Sequence, residues 1–191
     1  RQAFVGIDAG TTGCTVMIFD ERGRTLGHGY QDYPCINLHP GWSEQNLDVV
    51  WAGICEACSQ ATAEASLPAE AYKSIGLSSQ RGTIAMLDKN KEPLCNSYVW
   101  NCTRATDYQA KFEKEISPVD HQKLTGMQLS PLWSAAKIAW FRDNQPALFE
   151  RTCWFANGQE YFLHKLGAEE WITDPASLTL NGMMDIAKLD W

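Results

Sequence analysis

An α/β fold, with a sheet covered by helices, is what the sequence predicts, on three observations. Residues 4–7 and 14–19 are short apolar runs rich in strand formers (Val5, Ile7, Val16, Ile18, Phe19), joined by a glycine-containing turn. Leu47, Val50, Trp51, Ile54, Cys58, Ala61 and Ala65 then recur at helical spacing. Further short strands and helices follow. An antiparallel hairpin feeding a helix-covered sheet is an α/β layout.

Taken in order, Asp20-Glu21-Arg22-Gly23 turns the chain after the hairpin, and residues 25–33 make a third strand. His28 reads there as a strand surface residue. Pro34, Pro40 and Gly41 impose a loop. Asn46 or Asp48 can cap the helix that follows. Residues 74–79 read as a short buried strand, and residues 83–87 and 97–100 as two more. Residues 104–116 read as a charged helix, Leu124-Thr125-Gly126 as a closing helical turn, and Pro131 as the start of a second clear helix through Trp133, Ala136, Lys137, Trp140 and Phe141. Lys137 and Trp140 are assigned to helix packing and surface rather than to a ligand. Residues 153–156 form a strand and residues 159–166 a helix.

Composition limits the partners. The 191 residues suit one domain or one and a half, and 45% apolar with 20% charged content describes a globular chain with a core. A net charge of -7 without a basic cluster argues against nucleic acid. No run of 18 apolar residues is present, so no membrane span is expected. The first four residues lack the apolar core of a signal peptide. Seven scattered cysteines read as reduced thiols of a cytoplasmic protein. Cys55 and Cys58 fall within the helical pattern as two small residues of one face, and Cys35 and His39 lack the second pair a metal site needs.

The chemistry concentrates in Asp8-Ala9-Gly10-Thr11-Thr12-Gly13. Glycines permit positive φ, and such a turn points backbone N–H groups into one concavity that suits a phosphate. Thr11 and Thr12 add hydroxyls. Asp8, at the strand end, sets a carboxylate beside the same hollow, which favours a divalent cation between it and a phosphate. The turn is therefore expected to bind a Mg²⁺–nucleotide. A hairpin with polar turn residues accounts for the same stretch. A P-loop is excluded, because its Gly-x-x-x-x-Gly-Lys-Ser/Thr pattern is absent.

Six segments, in order and spacing, resemble the FGGY family of carbohydrate kinases. Residues 6–12 are similar to the family's first phosphate motif, and Pro40-Gly41-Trp42-Ser43-Glu44-Gln45 to its "PGW-x-E" loop. Ser79-Gln80-Arg81-Gly82 falls at the substrate loop, and residues 96–104 resemble the segment ending "W-x-D-x-R". Residues 137–144 resemble the first family signature, and Thr173-Asp174 with residues 185–191 resemble the end of the N-terminal lobe.

The resemblance implies an actin-like, ribonuclease H-like ATPase lobe with a mixed sheet and flanking helices, spanning residues 1–191 and incomplete. A second, C-terminal lobe is expected outside this chain. It implies ATP and Mg²⁺ as cofactors, a sugar or polyol as substrate, and Asp8 as the metal residue. Gly10, Thr11, Thr12 and Gly13 would hold the nucleotide phosphates. Gln80, Arg81 and Gly82 would meet the substrate, with Trp100 and Trp133 as flat faces for sugar C–H groups or as core residues. Arg81 is a donor to vicinal hydroxyls or a surface arginine. The general-base aspartate is expected after Trp191, so no catalytic residue is assigned here and the isolated chain is expected to be inactive. A homodimer is the assembly allowed for.

Departures bear on the substrate. Glycerol kinases of the family carry Glu where Gly82 stands and Tyr where Leu132 stands. Buried hydroxyls without partners cost roughly 1–3 kcal/mol each, so glycerol is expected to bind poorly and a larger substrate is favoured. Xylulokinases carry Met-His in place of Arg81-Gly82. Cys102 occupies the position of the family aspartate. The alternative functions are an ATPase of the same superfamily acting as a chaperone or filament, and a non-catalytic sugar-responsive binding protein.

Overall fold

Alternation builds the first sheet. In β2 (Gly13–Asp20) Cys14, Val16, Ile18 and Asp20 are buried and the residues between them are half-buried, the period of a strand with one covered face. The computed structural model describes residues 2–191, and contacts divide the chain into two units. One runs to Cys35 and resumes over Gln45–Gln80; the other comprises Ile36–Glu44 and Arg81–Trp191.

The first unit holds a mixed four-stranded sheet in the order β3-β2-β1-β5. β1 (Ala3–Ala9) and β2 are the predicted antiparallel hairpin, with Asp8 opposite Thr15. β3 (Thr25–Asp32) pairs antiparallel with β2. β5 (Tyr72–Ser79) pairs parallel with β1. A parallel partner needs a crossover, and α1 (Leu47–Ala65) lies in it. Asn46 rather than Asp48 caps α1, its side chain accepting from the N–H groups of Asp48 and Val49.

Two glycines of β3 bring α1 down onto strand backbone. A Cβ on Gly29 would stand 1.9 Å from the Ala57 carbonyl oxygen, and one on Gly27 2.1 Å from that of Ala61. The helix answers with Gly53, Ala57 and Ala61, all buried. Because α1 packs on β3 and β2, the far edge of the sheet is left open. The expectation of a buried strand at residues 74–79 is thereby corrected: β5 is an edge strand, and its Ile75 is 54% exposed.

The second unit is built on β6 (Ile84–Leu87), whose four residues are all buried. Its sheet runs β4-β7-β6-β8, with β4 (Glu44–Gln45) at the unit boundary, β7 (Ser97–Tyr98) and β8 (Trp154–Asn157). Ile84, Met86, Tyr98 and Phe141 form the core, with Trp140, Phe149 and Phe155 against them. Where one charged helix is expected over residues 104–116, a 3-10 turn (Thr106–Tyr108) precedes a short α2 (Gln109–Glu115). α3 (Pro118–Thr125) is a full helix rather than a closing turn, capped by Ser117 with proline in its first turn. Its weak apolar periodicity hides it from a pattern search. α4 (Ser134–Asn144) begins after Trp133, which is extended, so the helix does not reach back to Pro131. α5 (Pro146–Phe149), α6 (Gly158–Lys165) and α7 (Pro175–Thr179) complete the unit. No helix among the described residues is long and apolar enough to cross a membrane.

The contact of α1 with β3 sets an expectation. Gly29→Ala forces helix and strand apart and lowers unfolding free energy by about 1–3 kcal/mol or more, the range for overpacking. Urea unfolding of the chain measures this, and an unchanged midpoint refutes it.

Candidate active site

The candidate residues fall in both units. In the first, Asp8 ends β1 with its side chain exposed, on the sheet face turned away from α1. It borders an open hollow of about 570 Å³ with Gly6, Thr15, Met17, Gly76 and Ser78. Next to it the turn is braced from within. The Gly10 N–H donates to the Gly13 carbonyl at 2.9 Å, the Tyr33 hydroxyl to the Gly10 carbonyl at 2.8 Å, and the Tyr33 N–H to the Thr12 carbonyl at 3.1 Å. Burial raises the Tyr33 phenol well above its usual range, and likewise pushes the Cys14 thiol behind the turn up to about 12, so both stay neutral.

Gly10 and Gly13 do not adopt positive φ, contrary to expectation. Space explains Gly13: a Cβ there would lie 2.5 Å from the Tyr30 hydroxyl and 2.9 Å from the Gln31 carbonyl oxygen. The Thr11 hydroxyl donates to the Gln80 side-chain oxygen at 3.0 Å. The Gln80 amide donates to the Gln45 carboxamide oxygen, and the Gln45 amide to the Thr11 carbonyl, each at 2.5 Å. These bonds close a ring that ties the turn to the start of α1 and the end of β5. Thr12 stays exposed. Among the described residues no three His, Cys, Asp or Glu side chains gather to hold an ion. Asp8 belongs to no such group, and a lone exposed carboxylate is a donor that could share a Mg²⁺ with phosphate oxygens.

In the second unit Arg81 is exposed and Gly82 takes φ +73°, the region that favours glycine. A Cβ on Gly82 would reach 3.4 Å from the Trp100 Cβ, so the room left by Gly82 is bounded on one side by Trp100. Trp100 itself is 47% exposed. The Trp133 indole N–H donates to the Gln128 carbonyl at 2.7 Å, and Trp133 lines a pocket of about 170 Å³ with Phe112, Ile116, His121 and Gly182. Neither Arg81 nor Trp100 lines that pocket.

Lys137, assigned from sequence to helix packing and surface, is fully buried, which bears out the packing part and corrects the surface part. Its ammonium donates to the carbonyls of Val99 and Trp100 at 2.9 Å and of Gly82 at 3.3 Å. Helical spacing places it on the face of Trp140 and Phe141, and that periodicity was the available signal. Arg104 is also buried: its guanidinium meets Glu44 at 2.6 Å and stacks over Tyr98, 3.5 Å from the ring centroid, and over Trp42 at 4.3 Å. Its Nε donates to the Cys102 sulfur at 3.1 Å. Cys102 therefore stands at a guanidinium whose charge Glu44 already balances, so a carboxylate at position 102 is not needed to neutralise it.

The mixed sheet, the hairpin turn beside an exposed acid and the crossover helix are shared with carbohydrate kinases of the actin-like ATPase fold. Residues 3–191 match the FGGY family of carbohydrate kinases, N-terminal domain, and the chain belongs to that family. A glycerol kinase of Thermococcus onnurineus is 30% identical over 191 residues, covering 98% of this chain and 38% of that protein. The structure of a xyloylose kinase from Brucella ovis superposes with a TM-score of 0.91 at 25% identity, covering 100% of this chain and 39% of that one. Plasmodium falciparum glycerol kinase with ADP shares the fold, with a TM-score of 0.90 at 24% identity over 100% of this chain and 39% of that one. The chain thus spans under two-fifths of these relatives.

The glutamine ring supplies a second expectation. Gln45→Leu keeps the volume but leaves the Thr11 carbonyl and the Gln80 amide short of a partner, a loss of about 1–3 kcal/mol. Denaturant unfolding tests it, and a variant as stable as the parent contradicts the ring's role.

Proposed function

We propose that this chain is the N-terminal part of an ATP-dependent carbohydrate kinase, transferring a phosphoryl group to a hydroxyl of a sugar or polyol. The observation that carries the reading is Asp8, exposed at the end of β1 beside the braced turn, in a chain of this family. Phosphoryl transfer depends on positioning and charge neutralisation more than on covalent help. Mg²⁺ held at Asp8 supplies that neutralisation. Thr12 offers its hydroxyl to phosphate oxygens, while Gly10 and Gly13 shape the turn and Thr11 holds it to Gln80. Arg81 directs guanidinium N–H groups at substrate hydroxyls, and Trp100 presents an apolar face to sugar C–H groups. With Gly82 and Leu132 where glycerol kinases carry Glu and Tyr, the favoured substrate is larger than glycerol. The general base belongs to residues after Trp191.

Three measurements test this. A coupled ADP-release screen of the two-lobed protein against pentuloses, polyols, hexuloses and gluconate is expected to find turnover with one class above glycerol. Preference for glycerol over all of them contradicts the substrate reading. Asp8→Ala in that protein is expected to reduce kcat by at least about a hundredfold with the fold unchanged, a typical scale for lost electrostatic stabilisation; near-normal turnover removes the metal role. The isolated 191-residue chain is expected to transfer no phosphate, and measurable transfer by it refutes the assignment of the base to the missing part.

A further inference from the structure

Burying an ammonium is costly unless it is fully hydrogen-bonded or paired. Lys137 has three N–H donors, and three carbonyl oxygens take them. Those carbonyls belong to Gly82 in one loop and to Val99 and Trp100 in another. The two loops carry Arg81 and Trp100. Core packing alone does not call for a lysine here, since a side chain of similar length without charge fills the same space at less desolvation cost. A single point charge that gathers carbonyls from two loops does, however, fix how the loops face each other. It also holds the carbonyl of Gly82, whose backbone is left-handed, beside that of Trp100.

We propose that Lys137 is a positioning residue for substrate: its buried ammonium sets the geometry of the Arg81–Gly82 loop and of Trp100, and so determines sugar affinity without touching the sugar. This inference rests on the kinase reading above. Burial pushes the Lys137 ammonium down to about 8, Arg104 adds to the effect, and Cys102 opposes it. A neutral amine keeps two donors and gains a lone pair, which leaves one of the three carbonyls without its hydrogen bond.

The test uses the two-lobed kinase with Lys137→Met and Lys137→Gln, with KM for sugar and for ATP measured separately and folding followed by circular dichroism. Loss of the clamp is expected to raise the sugar KM roughly ten- to a hundredfold, the scale of a lost charge-assisted hydrogen bond, with the ATP KM within about twofold. The wild-type sugar KM is expected to climb as pH passes 8, with the ATP KM flat over the same range. Folded variants with unchanged sugar KM overturn the inference. So does an equal rise in both KM values with a lowered melting point, which marks a merely structural role. If neither variant folds, Lys137→Arg decides: it keeps the charge but replaces the three-donor ammonium with a planar fork, and an unchanged sugar KM in it overturns the proposal. Absence of wild-type turnover with every sugar sinks the kinase reading and the inference together, whereas turnover with unaffected variants sinks the inference alone.

Discussion

The first unit depends on how closely α1 approaches β3. Gly27 and Gly29 remove the side chains that would hold the helix at ordinary distance, and Gly53, Ala57 and Ala61 keep the helix face equally bare. With backbone against backbone, the helix has little freedom to slide or rotate on the sheet. Its start is thereby fixed, and Gln45 stands immediately before it. The Gln45 carboxamide then holds the Thr11 carbonyl and receives the Gln80 amide. The bracing of the Gly10–Gly13 turn thus traces back in part to two glycines of β3.

The second unit uses buried cations for a comparable purpose. Arg104 is enclosed by the Trp42 and Tyr98 rings and neutralised by Glu44, joining the Pro40–Gln45 segment to the strand that follows it in the sheet. Lys137 has backbone carbonyls for its acceptors, which makes it a gauge of loop geometry rather than an ion pair. In each case the charged group satisfies many acceptors at once, which is the condition for leaving it out of water. Ile84, Met86, Tyr98 and Phe141 form one apolar core of the unit, and Ala105, Tyr108 and Ala136 a second.

Much of the fold is legible in the sequence because its periodicities are strong. The hairpin, α1 and β6 follow from apolar alternation and helical spacing. α3 and the 3-10 turn before α2 escape that reading, since few of their residues are buried and no stripe marks them. β5 misleads in the other direction: an apolar run suggests burial, but α1 packs on β3 and β2 at the opposite side of the sheet and leaves β5 exposed. Of the candidate site, Asp8, Thr12, Arg81 and Trp100 are found by motif, and their exposure suits a role toward a ligand. Gln45, Tyr33 and Lys137 are not found as site residues, because each acts through partners far away along the chain.

By itself, then, the sequence determined the opening hairpin, the first helix, the family, and the acid and hydroxyls at the turn, all of which are local patterns of residue type. Tertiary structure alone decided which polar groups are occupied and which are offered. Thr11 and Thr12 are identical neighbours in the sequence, yet the Thr11 hydroxyl is held by Gln80 and Thr12 is left exposed. Lys137 likewise becomes a buried clamp only when two distant loops bring their carbonyls to it. Hydrogen bonding acts over distances of about 3 Å, and only the folded chain fixes which partners come that close.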